Sequence, residues 1–161
     1  MVRQHLEAGT NVNAVEDGCM PLHWACDRGN TEIAKLLIEY GADVNAIGIG
    51  TSPLHWACHR GNTEMAKLLI EHGADVNASE YGRTQLHRAI DMCEREIVKL
   101  LIEYGADVNA KDESGWTPLD IAKANPWKWE QTEIDGFVIT SCSLMEKGDY
   151  GDLDGEVKVA G

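Results

Sequence analysis

Apolar residues recur at helical spacing in three closely similar segments of the chain. They are TEIAKLLIEYG from Thr31, TEMAKLLIEHG from Thr63 and REIVKLLIEYG from Arg95. In the first segment Ile33, Leu36 and Leu37 stand at i, i+3 and i+4, which places them on one face of a helix. Each segment leads into the same turn, GADVNA, which begins at Gly41, Gly73 and Gly105, and GTNVNA at 9–14 is an earlier copy. The pattern predicts helical units that repeat every 32 residues.

A second set of similar segments lies between these helices and predicts a first helix for each unit. The segments are MPLHWACDRGN from Met20, SPLHWACHRGN from Ser52, TQLHRAIDMCE from Thr84 and TPLDIAKANPW from Thr117. A hydroxyl side chain at the N-cap accepts a hydrogen bond from an unpaired backbone N–H, and proline suits the first helical position because no N–H is needed there. Gly29 and Gly61 predict left-handed helix ends, a conformation that costs glycine nothing.

These two motifs, in fixed register, resemble the ankyrin repeat, which has a TPLHxA motif and a period of about 33 residues. The resemblance covers residues 1 to about 125 and implies an all-α ankyrin-repeat solenoid of stacked helix-turn-helix units with projecting β-hairpin-like fingers. It divides the chain into two parts. Residues 1–125 would hold a partial first repeat, three full repeats and the first helix of a terminal repeat, and residues 126–161 a C-terminal capping segment and acidic tail.

Some positions depart from the repeat. The first three fingers are one residue shorter than the fourth, Met20 replaces the hydroxyl N-cap and Gln85 replaces the proline. Cys93 occupies the position of Gly29 and Gly61. A non-glycine residue at positive φ costs on the order of 1 kcal/mol, so the loop around Cys93 either carries that strain or rearranges. We expect repeat three to be the weakest.

The two ends are irregular. Residues 1–9 align with a second helix that has no first helix before it, which indicates either a fragment of a longer array or a face covered by the tail or another molecule. We expect the tail around Trp127, Trp129 and Phe137 to cover the last repeat. Its far end, GDYGDLDGEV, has the composition of a disordered segment.

Composition excludes several classes of protein. The chain has 14 basic and 27 acidic residues, a formal net charge of -13, which repels phosphate backbones and argues against nucleic acid as a partner. No apolar stretch reaches the roughly 18 residues of a membrane span, and the N-terminus lacks the apolar core of a signal peptide. Five cysteines, an odd number, lack the spacing of a secreted disulfide framework. We therefore expect a cytoplasmic protein with reduced thiols and no membrane partner.

The histidines and cysteines invite a metal-binding interpretation, which we reject. His23 and His55 stand three residues before Cys26 and Cys58, but such pairs recur along a stack, whereas zinc needs ligands that converge. The resemblance implies that the histidines, including His87, bond a repeat's finger to its neighbour's. No nucleophile and base, phosphate loop or complete calcium loop is present in the sequence, so we expect no catalytic residues, no metal and no cofactor.

Positions that vary between otherwise similar repeats are the candidates for binding, because the scaffold does not dictate them. In ankyrin proteins they line the concave first-helix face and the fingertips, which contact partner proteins. The residues that we expect to contact a partner are Trp24, Asp27, Arg28, Ile49, Trp56, His59, Arg60, Tyr81, Arg83, Arg88, Asp91, Met92 and Trp116. Inter-repeat packing is the alternative explanation for Trp24 and Trp56. The arginines predict a locally positive strip on an acidic molecule.

The leading hypothesis is a non-catalytic protein–protein interaction module that binds one partner protein of unknown identity. A regulatory segment of a larger enzyme and a designed or consensus-like scaffold are the alternatives. We expect a monomer, with self-association through the uncapped N-terminal face as the alternative. Asn45, Asn77 and Asn109 resemble ankyrin sites modified by asparaginyl hydroxylases, although side-chain hydrogen bonds at the helix-to-finger turn already explain asparagine there.

Overall fold

The computed structural model describes residue 4, residues 7–124 and the backbone of three short strands at 132–134, 137–139 and 144–146. Its helices are α1 (Pro21–Asp27), α2 (Thr31–Glu39), α3 (Pro53–His59), α4 (Thr63–Glu71), α5 (Gln85–Met92), α6 (Arg95–Glu103) and α7 (Pro118–Ala124). Gln4 and Glu7 are also helical, in agreement with the second helix predicted at the start of the chain. First helices pack on first helices, from α1 through α3 and α5 to α7, and α2, α4 and α6 pack in a parallel row.

One continuous apolar core runs along this stack between the two rows of helices. Leu22, Leu54 and Leu86 occupy equivalent positions in the first helices and are at most 1% exposed. Cys26 and Cys58 are buried beside them, as expected for small core residues. Because full burial of a leucine side chain is worth roughly 1.5–3 kcal/mol, contact between neighbouring repeats holds each helix pair in place.

The predicted helix boundaries are confirmed, with one exception in how a cap is made. The Ser52 hydroxyl accepts a hydrogen bond from the His55 N–H. Thr117 and Asp120 cap α7 reciprocally, since each side chain accepts a hydrogen bond from the other's backbone N–H. The hydroxyl of Thr84 makes no cap hydrogen bond to the α5 backbone; it lies 2.7 Å from Nδ1 of His87, which also accepts from the Thr84 N–H at 3.3 Å.

The helix ends confirm the role assigned to glycine and the strain assigned to Cys93. Gly29 and Gly61 have φ of 67° and 64°, and Cys93 adopts the same left-handed conformation with φ 63°. The residue that follows the left-handed position also differs between the repeats. Asn62 caps α4 through its side chain, whereas Glu94 at the start of α6 makes no side-chain cap.

The turn geometry of the fingers explains why the first three fingers are one residue shorter than the fourth. Asp17, Ile49 and Tyr81 each have φ near 50° and are followed by a glycine that also has positive φ. Two consecutive residues at positive φ form the two-residue type I′ hairpin turn, whose twist matches the flanking strands. In the third finger this turn joins β1 (Ser79–Glu80) to β2 (Arg83–Thr84). The fourth finger is longer and places its positive φ at Gly115.

A ladder of asparagines ties each finger base to the following repeat. The side chain of Asn13 donates to the Gly41 carbonyl and accepts from the Asp43 N–H, at 3.1 and 2.9 Å. Asn45 and Asn77 make the same pair of bonds one and two repeats further on. These contacts account structurally for asparagine at this position, as the sequence predicts.

Beyond the repeats, three short strands pair in an antiparallel sheet of order β3–β4–β5. They are β3 (Thr132–Ile134), β4 (Phe137–Ile139) and β5 (Leu144–Glu146). The sequence interpretation did not include this sheet. The expected cap formed by the side chains of Trp127, Trp129 and Phe137, and the predicted disorder of GDYGDLDGEV, lie outside the described residues. Within the described part of the chain, no helix is long and apolar enough to span a bilayer.

Candidate partner-binding surface

The predicted partner-binding residues lie at the ends of the first helices and at the fingertips, and none of them is buried. Exposure is greatest at the fingertips, where Tyr81 is 66% and Ile49 60% exposed, and Trp116 is 46% exposed at the base of the fourth finger. On the helices, Trp24 is 37% and Met92 43% exposed. The scaffold therefore leaves several large side chains open to contact along one row of repeats.

Two of the four arginines of this surface, Arg60 and Arg83, are paired with acids, so the predicted positive strip is neutralised in part. Arg60 Nε donates to Asp27 of the preceding repeat at 3.0 Å. Arg83 reaches Asp112 of the next finger at 3.3 Å and Asp91 of its own repeat at 3.4 Å. Each pair is partly or fully exposed, so its contribution to stability is below about 1 kcal/mol. The main effect of the pairing is on surface charge.

Two other arginines lie over aromatic rings. Arg28 is 5.4 Å from the ring centroid of Trp24, and Arg88 is 5.8 Å from that of Tyr81. Arg88 also donates to the Glu80 carbonyl at 3.0 Å, which fixes it against its own finger. Trp56 is half-buried, and its Nε1 is shielded without a hydrogen-bond partner among the described residues. Packing within the fold thus accounts for much of the reason why tryptophan stands at position 56, whereas Trp24 is exposed and available for a partner.

Two histidines form the predicted bonds between neighbouring fingers. Nδ1 of His23 accepts from the Met20 N–H at 3.2 Å. Its Nε2 lies 3.1 Å from the carbonyl oxygens of Ala46 and Thr51 in the next finger. His87 repeats this arrangement, with Nε2 2.9 Å from the Trp116 carbonyl.

The middle histidine is different, and Glu80 is the reason. In the first repeat, a Cβ added at Gly48 would lie 2.9 Å from Nε2 of His23, so the usual ring position requires glycine at this finger position. Glu80 occupies the equivalent position one repeat later. His55 there has Nδ1 3.1 Å from Glu80 Oε2 instead of a bond to the finger backbone. The other oxygen of Glu80 accepts from the Ser52 N–H at 2.7 Å.

Glu80 is a buried carboxylate, 4% exposed, that sequence reasoning missed. Burial raises its pKa, but hydrogen bonds from His55 and Ser52 outweigh that effect and leave the pKa below the ordinary value. Arg88 faces the same segment from α5 through the Glu80 carbonyl. The sequence signal that could have revealed it is the glutamate at position 80, where the preceding finger has Gly48.

Neighbouring fingertips stack closely on one another. The Ile49 N–H donates to the Gly18 carbonyl at 3.1 Å, and the Tyr81 hydroxyl donates to the Ile49 carbonyl at 2.7 Å. A Cβ at Gly50 would lie 2.8 Å from the Tyr81 hydroxyl. Glycine is therefore needed in the turn both for its positive φ and because the next fingertip occupies the space where a side chain would lie.

Family models of ankyrin repeats match most of the chain. A model of three ankyrin repeats matches residues 45–112 and 79–127, and a single-repeat model matches 17–49. The chain belongs to the ankyrin-repeat family. Ankyrin repeats are general protein–protein interaction modules. A comparison with curated proteins gives no significant match.

Among the described residues, no three His, Cys, Asp or Glu side chains form a group that could hold a metal ion. Burial raises the pKa of the Cys26 and Cys58 thiols to about 12, which leaves both protonated and unreactive near neutral pH.

The first face of the ankyrin stack is more open than its internal equivalents. Ile33 is half-buried, whereas Met65 at the same position of the next repeat is fully buried. A depression of about 510 Å³ lies beside Ile33, Trp24 and Arg28. One repeat further on, α1 packs over the corresponding side of α3.

Proposed function

We propose that this chain is a non-catalytic module that binds one partner protein across its fingertips and the concave ends of its first helices. The supporting observation is the exposure of large side chains at positions where the repeats differ. Ile49, Tyr81 and Trp116 are 46–66% exposed, although the fold does not require large residues there. Aromatic side chains at such positions are the kind that dominate interface energetics.

Backbone strain at the second fingertip supports the same assignment. Ile49 is β-branched and has φ 49°, a conformation that suits glycine or asparagine far better. The cost of this conformation is on the order of 1 kcal/mol. A strained apolar residue that remains exposed contributes little to folding, which favours a role in contacting a partner.

The charge pairs support a partner that carries charges of both signs. Because Arg60 is bonded to Asp27 and Arg83 to Asp91, the surface offers alternating signs rather than a uniform positive strip. A partner with aromatic and apolar anchors and charges of both signs would fit it. The sequence-based expectation of a locally positive strip assumed unpaired arginines.

We also propose a monomer inside the cell. Head-to-tail stacking of two copies would bring the outer side of α7 against the open N-terminal face. Lys123 stands there at the position that Cys26 occupies in α1, and burying its charge in an apolar contact is costly. None of the four cysteines among the described residues 7–124 forms a disulfide, which is consistent with a reducing compartment.

Affinity purification of the full chain from extracts of its native source, with quantitative mass spectrometry, tests the proposal. The variant Ile49→Asn suits the positive φ and should leave folding intact or improve it. We expect it to reduce partner recovery, and the affinity for the recombinant partner, by about tenfold or more, as loss of an interface anchor does.

Lys67→Ala is the matched control on the outer row of helices. Lys67 is exposed and makes one loose ion pair with Glu71, at 3.9 Å, so its loss should affect neither folding nor binding. If Ile49→Asn binds the partner normally and Lys67→Ala does not, the binding site lies on the second helices. That result would contradict the proposal.

A further inference from the structure

The histidine displaced by Glu80 has a second histidine beside it on α3. His55 and His59 are four residues apart, their ring centroids are 6.0 Å apart and their ring planes are inclined by 20°. His59 is exposed, and the His55 side chain keeps 9% of its surface accessible. Two histidines at i and i+4 on one helix face have the spacing by which helices hold transition-metal ions.

The hydrogen bonds of His55 leave one ring nitrogen available. In His23 and His87 both ring nitrogens lie within hydrogen-bonding distance of protein groups. In His55, Nδ1 faces the Glu80 carboxylate, and Nε2 makes no hydrogen bond among the described residues. The negative charge beside Nδ1 favours a proton on that nitrogen, which leaves the lone pair of Nε2 free for a metal.

The two departures from the repeat pattern, the displaced ring of His55 and the histidine at position 59, occur on the same helix. Four residues after His23 and His87, whose nitrogens are engaged, the chain has Asp27 and Asp91. Four residues after His55, it has His59. From this coincidence we infer, in place of the sequence-based expectation of no metal, that His55 and His59 chelate a divalent first-row transition ion such as Zn²⁺, with Glu80 as the positioning residue for His55.

The protein supplies two ligands at this site, because no larger metal-binding cluster forms among the described residues. Zn²⁺ is commonly four-coordinate, so water or a side chain of a bound partner would complete its coordination. The site lies next to Trp56, whose ring centroid is 6.4 Å from that of His59. A bound ion would therefore add a positive charge within the surface proposed for partner binding, although the chelate itself does not depend on that function.

Isothermal titration calorimetry with zinc chloride tests the inference on the full chain at pH 7.5, in a phosphine reductant that does not bind the ion. We expect one saturable site. His59→Asp restores the residue found in the other repeats at an exposed position, so it should fold normally and weaken Zn²⁺ binding at least tenfold. Glu80→Gln should weaken it by about 10- to 100-fold, as loss of a carboxylate that orients a metal ligand does.

NMR of the imidazole nitrogens separates positioning from a merely structural role. We expect the free protein to hold His55 as the Nδ1–H tautomer, and Glu80→Gln to produce a mixture of tautomers in a chain that remains folded. His72→Gln is the control, because Nδ1 of His72 is engaged by the Leu68 carbonyl at 2.8 Å, and it should bind Zn²⁺ like the parent.

Two results would overturn the inference. One is the absence of a saturable heat at millimolar Zn²⁺. The other is equal binding by the parent and His59→Asp, which would assign the ion to thiols or carboxylates elsewhere. If Glu80→Gln binds Zn²⁺ as tightly as the parent, the positioning role of Glu80 is wrong.

Discussion

Replacing Gln85 by proline should stabilise the protein. Gln85 is fully buried at the first position of α5, and neither its Oε1 nor its Nε2 has a hydrogen-bond partner among the described residues. Pro21, Pro53 and Pro118 occupy this position in the other first helices. The preceding Thr84 has φ -76° and ψ 165°, the extended conformation that proline requires before it.

Two contributions add up in this variant. Removing a buried, unpaired amide recovers a desolvation cost of about 1–3 kcal/mol. Restricting the unfolded chain with proline adds about 0.4–1 kcal/mol. The smaller volume of proline offsets part of this gain, so we expect a net stabilisation of about 1–3 kcal/mol. At roughly 2–4 °C per kcal/mol for a chain of this size, the melting temperature should rise by about 2–12 °C.

Thermal melts followed by circular dichroism and urea titrations would measure this gain. Gln85→Ala is the control, because it removes the amide without restricting the backbone, and it should give the smaller effect. A Gln85→Pro variant with a native spectrum and an unchanged or lower melting temperature would refute the reasoning. It would mean that the buried amide is satisfied or that the proline ring does not fit.

Three other substitutions probe the strained and buried positions. Cys93→Gly should stabilise by about 1 kcal/mol relative to Cys93→Ala in urea titrations, because only glycine accepts φ 63° without cost; equal stability would contradict the assigned strain. The lowered pKa of Glu80 means that its ionised form contributes stability above about pH 4.5 and loses it as pH falls through the folded-state value. The difference in melting temperature between the parent and Glu80→Gln should therefore shrink on acidification from pH 6 to pH 3, and a constant difference would exclude this origin. Gly50→Ala should destabilise more than Gly73→Ala in the same melts, since both have positive φ but only Gly50 faces the Tyr81 hydroxyl, and Gly73 has open space around it.

The regular parts of the fold could be read from the sequence because each rests on a local rule. Glycine at Gly29 and Gly61 predicts a left-handed helix end, and the hydroxyl of Ser52 predicts a helix start, since both effects arise within a few residues. The repetition of these signals fixed the stacking of the repeats. The strain at Cys93 followed from the same alignment.

The side-chain partners at the candidate site could not be predicted in the same way. The bond between Arg60 and Asp27 crosses from one repeat to the next, and nothing in either local segment indicates that the two side chains meet. The altered position of His55 depends on Glu80, 25 residues away in the sequence, through the space that a side chain takes up at a glycine position. Such effects need the three-dimensional arrangement of two repeats.

The asparagine ladder makes each junction between repeats separately observable. The backbone N–H groups of Asp43, Asp75 and Asp107 are each held by an asparagine side chain from the preceding repeat, at 2.7–2.9 Å. Such an amide exchanges its proton with solvent when its bond to the asparagine of the neighbouring repeat is broken. Hydrogen exchange at these three amides would therefore give a local opening free energy for each junction in turn, and show whether the stack opens from one end or first at its strained third repeat.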